Sequence, residues 1–201
     1  MGNRRTEPYH HGNLRRALLD VALVAVAEQG PAALSLREVA RRAGVSHAAP
    51  MHHFGNKAGL LTAIAAEGWD LLADALAAAQ RDAGFGGQGV AYVVFATARP
   101  AHFAVMRAPD LVHGNDPALV AARERAGVQL HRGAGHGSGP DDTSRRLAAW
   151  ALVHGLASLL LEGNIRMEPG VSVQGLAEAV TRHLGPAADD RAVPSPSSSP
   201  A

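Results

Sequence analysis

Apolar residues recur at helical spacing along most of this chain. Leu14, Leu18, Val21 and Ala25 form one stripe, which Gly30-Pro31 ends. Leu36, Val39, Ala40 and Ala43 give the inner face of a short second helix. Ser35 and Glu38 in front of it spell a capping box, in which the Ser35 hydroxyl accepts from the amide of residue 38 and Glu38 reaches back. Gly44 can close that helix in the left-handed conformation. Ser46 is placed to cap a third helix, from His47 to about His53. A fourth spans Asn56 to about Arg81, with Leu60, Ile64, Gly68, Leu71 and Ala75 as its stripe.

The second half reads the same way. Gly84 to Gly89 predicts a loop and Ala91 to Ala98 a short helix. Pro100 and Pro109 bracket another. Asp116-Pro117, an N-cap aspartate followed by proline, opens a helix that reaches about Arg132. Gly133 to Pro140 predicts a flexible loop. Thr143 to Glu162 is apolar nearly all round, as a helix in a core or a subunit interface is. Ser172 to Leu184 is the last helix. Residues 186–201 hold four prolines and four serines, which predicts a disordered tail. The expected fold class is all-α.

The stretch 35–54, SLREVARRAGVSHAAPMHHF, is two short helices joined by an Ala-Gly-Val turn. This is the pattern that presents a second helix to a major groove. Arg37, Arg41 and Arg42 mark its first helix as suited to backbone phosphates. Its second helix offers His47, Ala48, Met51 and His52. Charge supports the same end of the chain. Residues 1–60 carry eight basic and four acidic side chains, whereas the other 141 carry 11 and 14. A net +4 against −3 suggests that the N-terminal part meets a polyanion.

Composition removes several alternatives. The chain has 201 residues, 47% of them hydrophobic, and no cysteine. Disulfides, thiolate–zinc sites and cysteine nucleophiles are therefore excluded. No apolar run reaches the roughly 18 residues of a membrane span, and no signal peptide is read, so a cytoplasmic protein without membrane contact is expected. Gly84 to Gly89 spells G-x-G-x-x-G, but it follows a helix and lacks the βαβ context of a dinucleotide site. The pairs His10-His11 and His52-His53 point about 100° apart on a helix and have no carboxylate at ligand spacing, so no metal is expected. No nucleophile elbow or base set appears. The expectation is a non-enzyme without cofactors.

The run AEQGPAALSLREVARRAGVSHAAPMHHFGNKAGLL resembles the N-terminal signature of the tetracycline-repressor-type (TetR) family of bacterial transcription regulators. The resemblance covers about residues 11–65 and rests on Gly30, Ser35, Val39-Ala40, Ala43-Gly44-Val45-Ser46, His53-Phe54, Lys57 and Leu60. It implies that Ser35, His53 and Lys57, the chain's one lysine, contact phosphate, and that residues 46–52 (Ser46, His47, Ala48, Met51 and His52 among them) read base edges. Phe54 is expected in the core. Two departures stand out: Met51 occupies the position of a usual Tyr, and Gly59, which costs its helix up to about 1 kcal/mol, stands where an acidic or alanine residue is usual. Pro50 also removes an amide inside the recognition helix.

Trp150, His154 and Gly155 resemble the Trp–His–Gly motif of one class of TetR-family C-terminal domains, and Gly155 would let another helix approach closely. With Phe95, Phe103, Met106 and His113, Trp150 and His154 are the candidate wall of a ligand pocket. Only eight aromatic residues suggest an aliphatic one. The resemblance implies three segments: a DNA-binding domain at 1–65, a ligand-sensing and dimerisation domain at 66–185, and the tail. It also implies a homodimer paired through helices 143–162 and 172–184, with recognition helices about 34 Å or somewhat more apart on a near-palindromic double-stranded DNA operator. The function expected is a repressor released by an unidentified small-molecule effector. The alternative is a ligand-independent DNA-binding dimer with a filled C-terminal core.

Overall fold

The computed structural model of the chain describes residues 11–133 and 140–184, and every regular element among them is helical. In order these are α1 (His11–Gln29), α2 (Leu36–Ala43), α3 (Ala48–Phe54), α4 (Lys57–Ala98), α5 (Pro100–Met106), α6 (Pro117–Gly133), α7 (Pro140–Leu161) and α8 (Val173–Thr181). The 134–139 part of the expected loop and the expected tail at 186–201 lie outside the described residues.

One start has the cap read above, and two more are capped in the same way. Asp116 caps α6, its Oδ1 accepting from the amides of Ala118 at 3.0 Å and Leu119 at 3.1 Å. Ser172 caps α8 through the Gly175 amide at 3.0 Å. Asn56 does the same for α4 through Gly59 at 2.8 Å.

Two expected caps are not made. Ser35 is the N-cap of α2, but its hydroxyl makes no capping bond. Glu38 bonds Arg41 and Arg42 instead of reaching back. A carboxylate with two guanidinium groups in reach gains more from charge-assisted bonds than from one amide. At α3 the cap residue is His47, also without a side-chain bond, and Ser46 contributes its carbonyl, accepting from Ala49 at 3.0 Å.

The expected loop at 84–89 is helical as well, and α4 runs 42 residues with a single break. Gly84, at φ 62 and ψ −152, takes a conformation nearly exclusive to glycine, and the helix restarts at once. Gly89 serves packing. A Cβ on Gly89 would meet Thr181 Cγ2 at 2.8 Å and Val153 Cγ1 at 3.2 Å, so α4 lies close against α7 and α8.

Two clusters of buried apolar side chains hold the helices. The first joins Leu18, Ala22 and Val26 of α1, Val39 of α2 and the start of α4, and is closed by Ala101 and Val105 of α5 and Leu119 of α6. Residues beyond 65 therefore complete the core under α2 and α3. The second gathers Tyr92 and Val93 of α4, Phe103 and Met106 of α5, Val153 and Leu156 of α7 and Ala177 of α8. Full burial of a Leu or Ile stabilises by about 1.5–3 kcal/mol. With Leu60, Leu61, Ile64, Leu72 and Leu76 all fully buried, α4 is the spine of both clusters. The buried face drifts from the expected stripe, and Leu71 and Ala75 are only half-buried. On α7, Ala149, Val153, Leu156 and Ala157 face inward, leaving Leu147, Trp150, Leu159 and Leu161 exposed.

Candidate nucleic-acid interface and cavity

The turn between α2 and α3 is built from the backbone. Gly44 is left-handed, φ 67 and ψ 29, and its amide donates to the Ala40 and Arg41 carbonyls. Val45 follows by donating to the Ala40 carbonyl at 3.1 Å. Across this turn α3 is seated by Pro50, which is buried, and Phe54, which packs against the first core. Pro50 falls in the first turn of α3, where amides have no intrahelical partner, so its missing donor costs nothing. The outer face presents Ser46, His47, Ala48, Met51 and His52, all exposed. Met51 stands 60% exposed, and nothing in the packing of this chain calls for an apolar side chain there.

Basic groups flank this face. Arg37 and Ser35 are exposed on α2. Arg41 donates to Glu38 at 2.6 Å but keeps 69% of its side chain in solvent. Hydrogen bonds from Arg41 and then Arg42 hold the Glu38 carboxyl at about 2. The trio thus carries one net positive charge. Arg42, grouped by the sequence with the phosphate-facing arginines, is instead a strut: it binds Glu28 of α1 at 2.7 Å and Glu38 at 2.7 Å. Lys57, at the start of α4, gives one of its three donors to the Ala32 carbonyl at 2.5 Å. His53 is half-buried between His52 and Phe54, with ring centroids at 5.5 and 6.2 Å. Sequence reasoning missed Arg15, whose guanidinium lies 5.2 Å from the centre of the Phe54 ring and brings another positive charge to α3.

Behind α4, between its second half, α6 and α7, lies a cavity of about 410 Å³. Phe85, Gln88, Tyr92, Leu130, Trp150 and Val153 supply most of its wall, with Arg146 also on it. Three of the eight aromatic residues are here beside Leu130, Leu147, Ala149 and Val153, so the wall mixes aromatic with the expected aliphatic side chains. Of the residues proposed from sequence, Trp150 lines the cavity. Phe95, Phe103 and Met106 are 5%, 2% and 7% exposed and belong to the core cluster behind it. His154 is held there too: its Nδ1 is 2.8 Å from the Tyr92 hydroxyl, and its ring centre 5.3 Å from that of Trp150. His113 is remote from the cavity. Its amide donates to Thr62 Oγ1 at 2.8 Å and its Nε2 meets Asn56 Oδ1 at 3.2 Å, beside the start of α4.

Burial pushes the Tyr92 hydroxyl up to about 12, outweighing a hydrogen bond from Trp150 and the nearby positive charge of Arg107. Burial also lowers His154, and Arg107 adds to the effect. With the indole donating to the phenol oxygen, the phenol is left to donate to a neutral His154 at Nδ1. Phe85 and Gln88 escaped sequence reasoning because 84–89 read as a loop, and Tyr92 because the loop parted its helix from theirs. Once that stretch is helical, the three fall on one face at i, i+3 and i+7.

Two family patterns match this chain: "Bacterial regulatory proteins, tetR family" over residues 18–64, and "Tetracyclin repressor-like, C-terminal domain" over residues 85–184. The HTH-type transcriptional regulator BetI of Rhizobium meliloti (strain 1021) is 49% identical over 49 residues, 24% of each chain. The chain thus spans about a quarter of that regulator's length, and a third (33%) of the mycobacterial regulators that it also matches. Among solved structures, a protein of unknown function from Rhodococcus sp. RHA1 is 34% identical, with a TM-score of 0.71 over 89% of this chain and 97% of that one. The TetR family transcriptional regulator PfmR from Thermus thermophilus shares the fold at 21% identity, with a TM-score of 0.64 over 83% and 96% of the two chains.

Proposed function

The chain belongs to the TetR family of bacterial regulatory proteins, and from that premise we propose that it is a homodimeric repressor released from its operator by a small molecule. The observation that carries the DNA reading is the outer face of α3. Ser46, His47, Ala48, Met51 and His52 are exposed together on a helix clamped from behind by Pro50 and Phe54. Arg37, Arg41, Ser35, His53 and Lys57 surround that face and would meet the backbone. Met51 replaces hydrogen bonding by apolar contact, of the kind a thymine methyl offers.

Leu159 and Leu161, exposed on α7 and not among the residues that line the cavity, support dimerisation through α7 and α8. Gly155 supports it too: a Cβ there meets nothing within 4 Å, so the close approach that glycine permits is not made inside this chain. The cavity favours a ligand-responsive regulator over a dimer with a filled core. An effector would act by population shift, preferring the conformer whose recognition helices no longer match the operator, and only to the extent of its differential affinity. No helix among the described residues is long and apolar enough to cross a membrane.

The test is binding to the DNA upstream of its own gene at two salt concentrations, beside Lys57→Ala. Tight, sequence-dependent binding with a salt slope smaller by about 1 in the variant is expected. Weak binding, equal on unrelated DNA and unmoved by the variant, would refute the reading.

A further inference from the structure

The junction between the recognition helix α3 and α4 is two residues long. Gly55 turns the chain at φ 73, and Asn56 follows as the N-cap of α4. Asn56 holds both sides. Its amide donates to the Phe54 carbonyl at 2.8 Å, at the end of α3. Its Oδ1 accepts from the Gly59 amide at 2.8 Å, in the first turn of α4. The corner leaves no slack, since a Cβ on Gly59 would collide with the Phe54 carbonyl. The setting of α3 against α4 therefore depends on where Asn56 sits.

A side chain from far along the chain reaches this residue. His113 lies in the connector between α5 and α6, 57 residues on, and its Nε2 stands 3.2 Å from Asn56 Oδ1. The Gly59 amide marks that atom as the amide oxygen, which only accepts. The imidazole nitrogen facing it is therefore the protonated one, and Oδ1 has a donor for each of its two lone pairs.

The connector does not need this bond to stay in place. Leu111 and Val112 pack against the first core. The His113 amide donates at 2.8 Å to Oγ1 of Thr62, which is buried and in turn donates to the Ala58 carbonyl at 2.7 Å. These contacts seat the backbone of residue 113 on α4. The ring is exposed and adds little to burial. What it adds is a second hold on the residue from which α3 hangs.

Taking the outer face of α3 as the DNA-reading surface proposed above, we propose that His113 is a positioning residue for DNA binding. It pins the Asn56 side chain, and through it the angle of the recognition helix, without itself contacting DNA.

Operator binding by the full-length protein tests this with His113→Ala, His113→Gln, Asn56→Ala and the double variant of the two alanine changes. One hydrogen bond is worth about two- to tenfold in an equilibrium, and a dimer on its operator contains this one twice. His113→Ala is expected to weaken operator binding at least about threefold, with the salt slope and the affinity for unrelated DNA unchanged. Glutamine carries an Nε2–H donor the same number of bonds from the backbone, so His113→Gln is expected to bind within about 1.5-fold of the parent. In the Asn56→Ala background the His113→Ala change should cost no more than about 1.5-fold, as for two side chains that act through one contact. A purely structural role would instead lower the melting temperature of His113→Ala and leave operator affinity, measured well below melting, where it was. That outcome would overturn the proposal. So would a loss that glutamine does not restore, or a loss shared by unrelated DNA with a smaller salt slope, which would make His113 a phosphate contact. Operator binding indifferent to His113 sinks this inference alone. An unmutated protein that does not distinguish its operator from unrelated DNA sinks the regulator reading and this inference with it.

Discussion

The Glu67 carboxylate stands 2.9 Å from Nε2 of His102 and, on its other oxygen, takes NH1 of Arg16 at 2.5 Å. One side chain of α4 thus joins α1 to α5. Beside it, a Cβ on Gly68 would meet Met106 Sδ at 2.7 Å, so α4 and α5 touch closely at this level. Met106 packs in the cluster behind the cavity, and Arg16 lies on α1, whose apolar face builds the first cluster. The contact is a polar link between the two.

Replacing Glu67 by Gln is expected to lower stability at pH 7 by about 1–2 kcal/mol, measured by urea unfolding. Burial raises the pKa of Glu67, but hydrogen bonds from Arg16 and His102 outweigh it and leave the group below its ordinary value of 4.5. A depressed folded pKa gives stability that is present above the unfolded value and lost as pH falls through the folded one. The gap between the two proteins should therefore close below about pH 4.5. A gap of the same size at pH 3 would count against the contact.

Gly59→Ala is expected to destabilise, although alanine is the better helix former. A Cβ at this position would collide with the Phe54 carbonyl, which is backbone and cannot yield easily. The cost of such overpacking is about 1–3 kcal/mol, against a propensity gain of at most about 1 kcal/mol. Thermal unfolding decides the sign. A raised melting temperature would show that α3 and α4 are not held this close.

Met51→Ala should leave stability within about 0.5 kcal/mol of the parent, because the side chain is exposed. Its operator affinity should fall by about 1 kcal/mol with the salt slope unchanged, as for a base contact rather than a phosphate contact. Filter binding at several salt concentrations tells these apart. Equal loss on unrelated DNA would place Met51 outside base readout.

Leu159→Glu probes the outer side of α7 without entering the cavity or the core, since Leu159 is 42% exposed. The expected outcome is a shift from dimer to monomer in sedimentation velocity, with helical content kept and operator affinity lost. A variant that stays dimeric would move the interface off this face.

Most of the helices were legible because their signals are local. The stripe from Leu14 to Ala25, the Asp116 cap and the left-handed Gly44 each depend on residues within about a turn of one another. The failures share a cause. Ser35 with Glu38 spells a capping box, yet Arg41 and Arg42 take the carboxylate. Gly84 to Gly89 spells a loop, yet tertiary packing of Gly89 against Val153 and Thr181 makes the helix worth continuing. Gly59 reads as a defect and is required by Phe54, whose carbonyl arrives from another helix.

The amino-acid sequence by itself determined an all-helical chain with a helix-turn-helix whose outer face carries Ser46, His47, Ala48, Met51 and His52. Periodicity, caps and turn chemistry are properties of neighbours along the chain. Tertiary structure alone decided where the cavity lies and which residues line it. Phe103 and Met106 went into the core, His113 went to the start of α4, and Gln88 and Tyr92 came to the wall. An aromatic or polar side chain has the same sequence signature in either place. Only the packing of α4 against α6 and α7 determines which ones face open space.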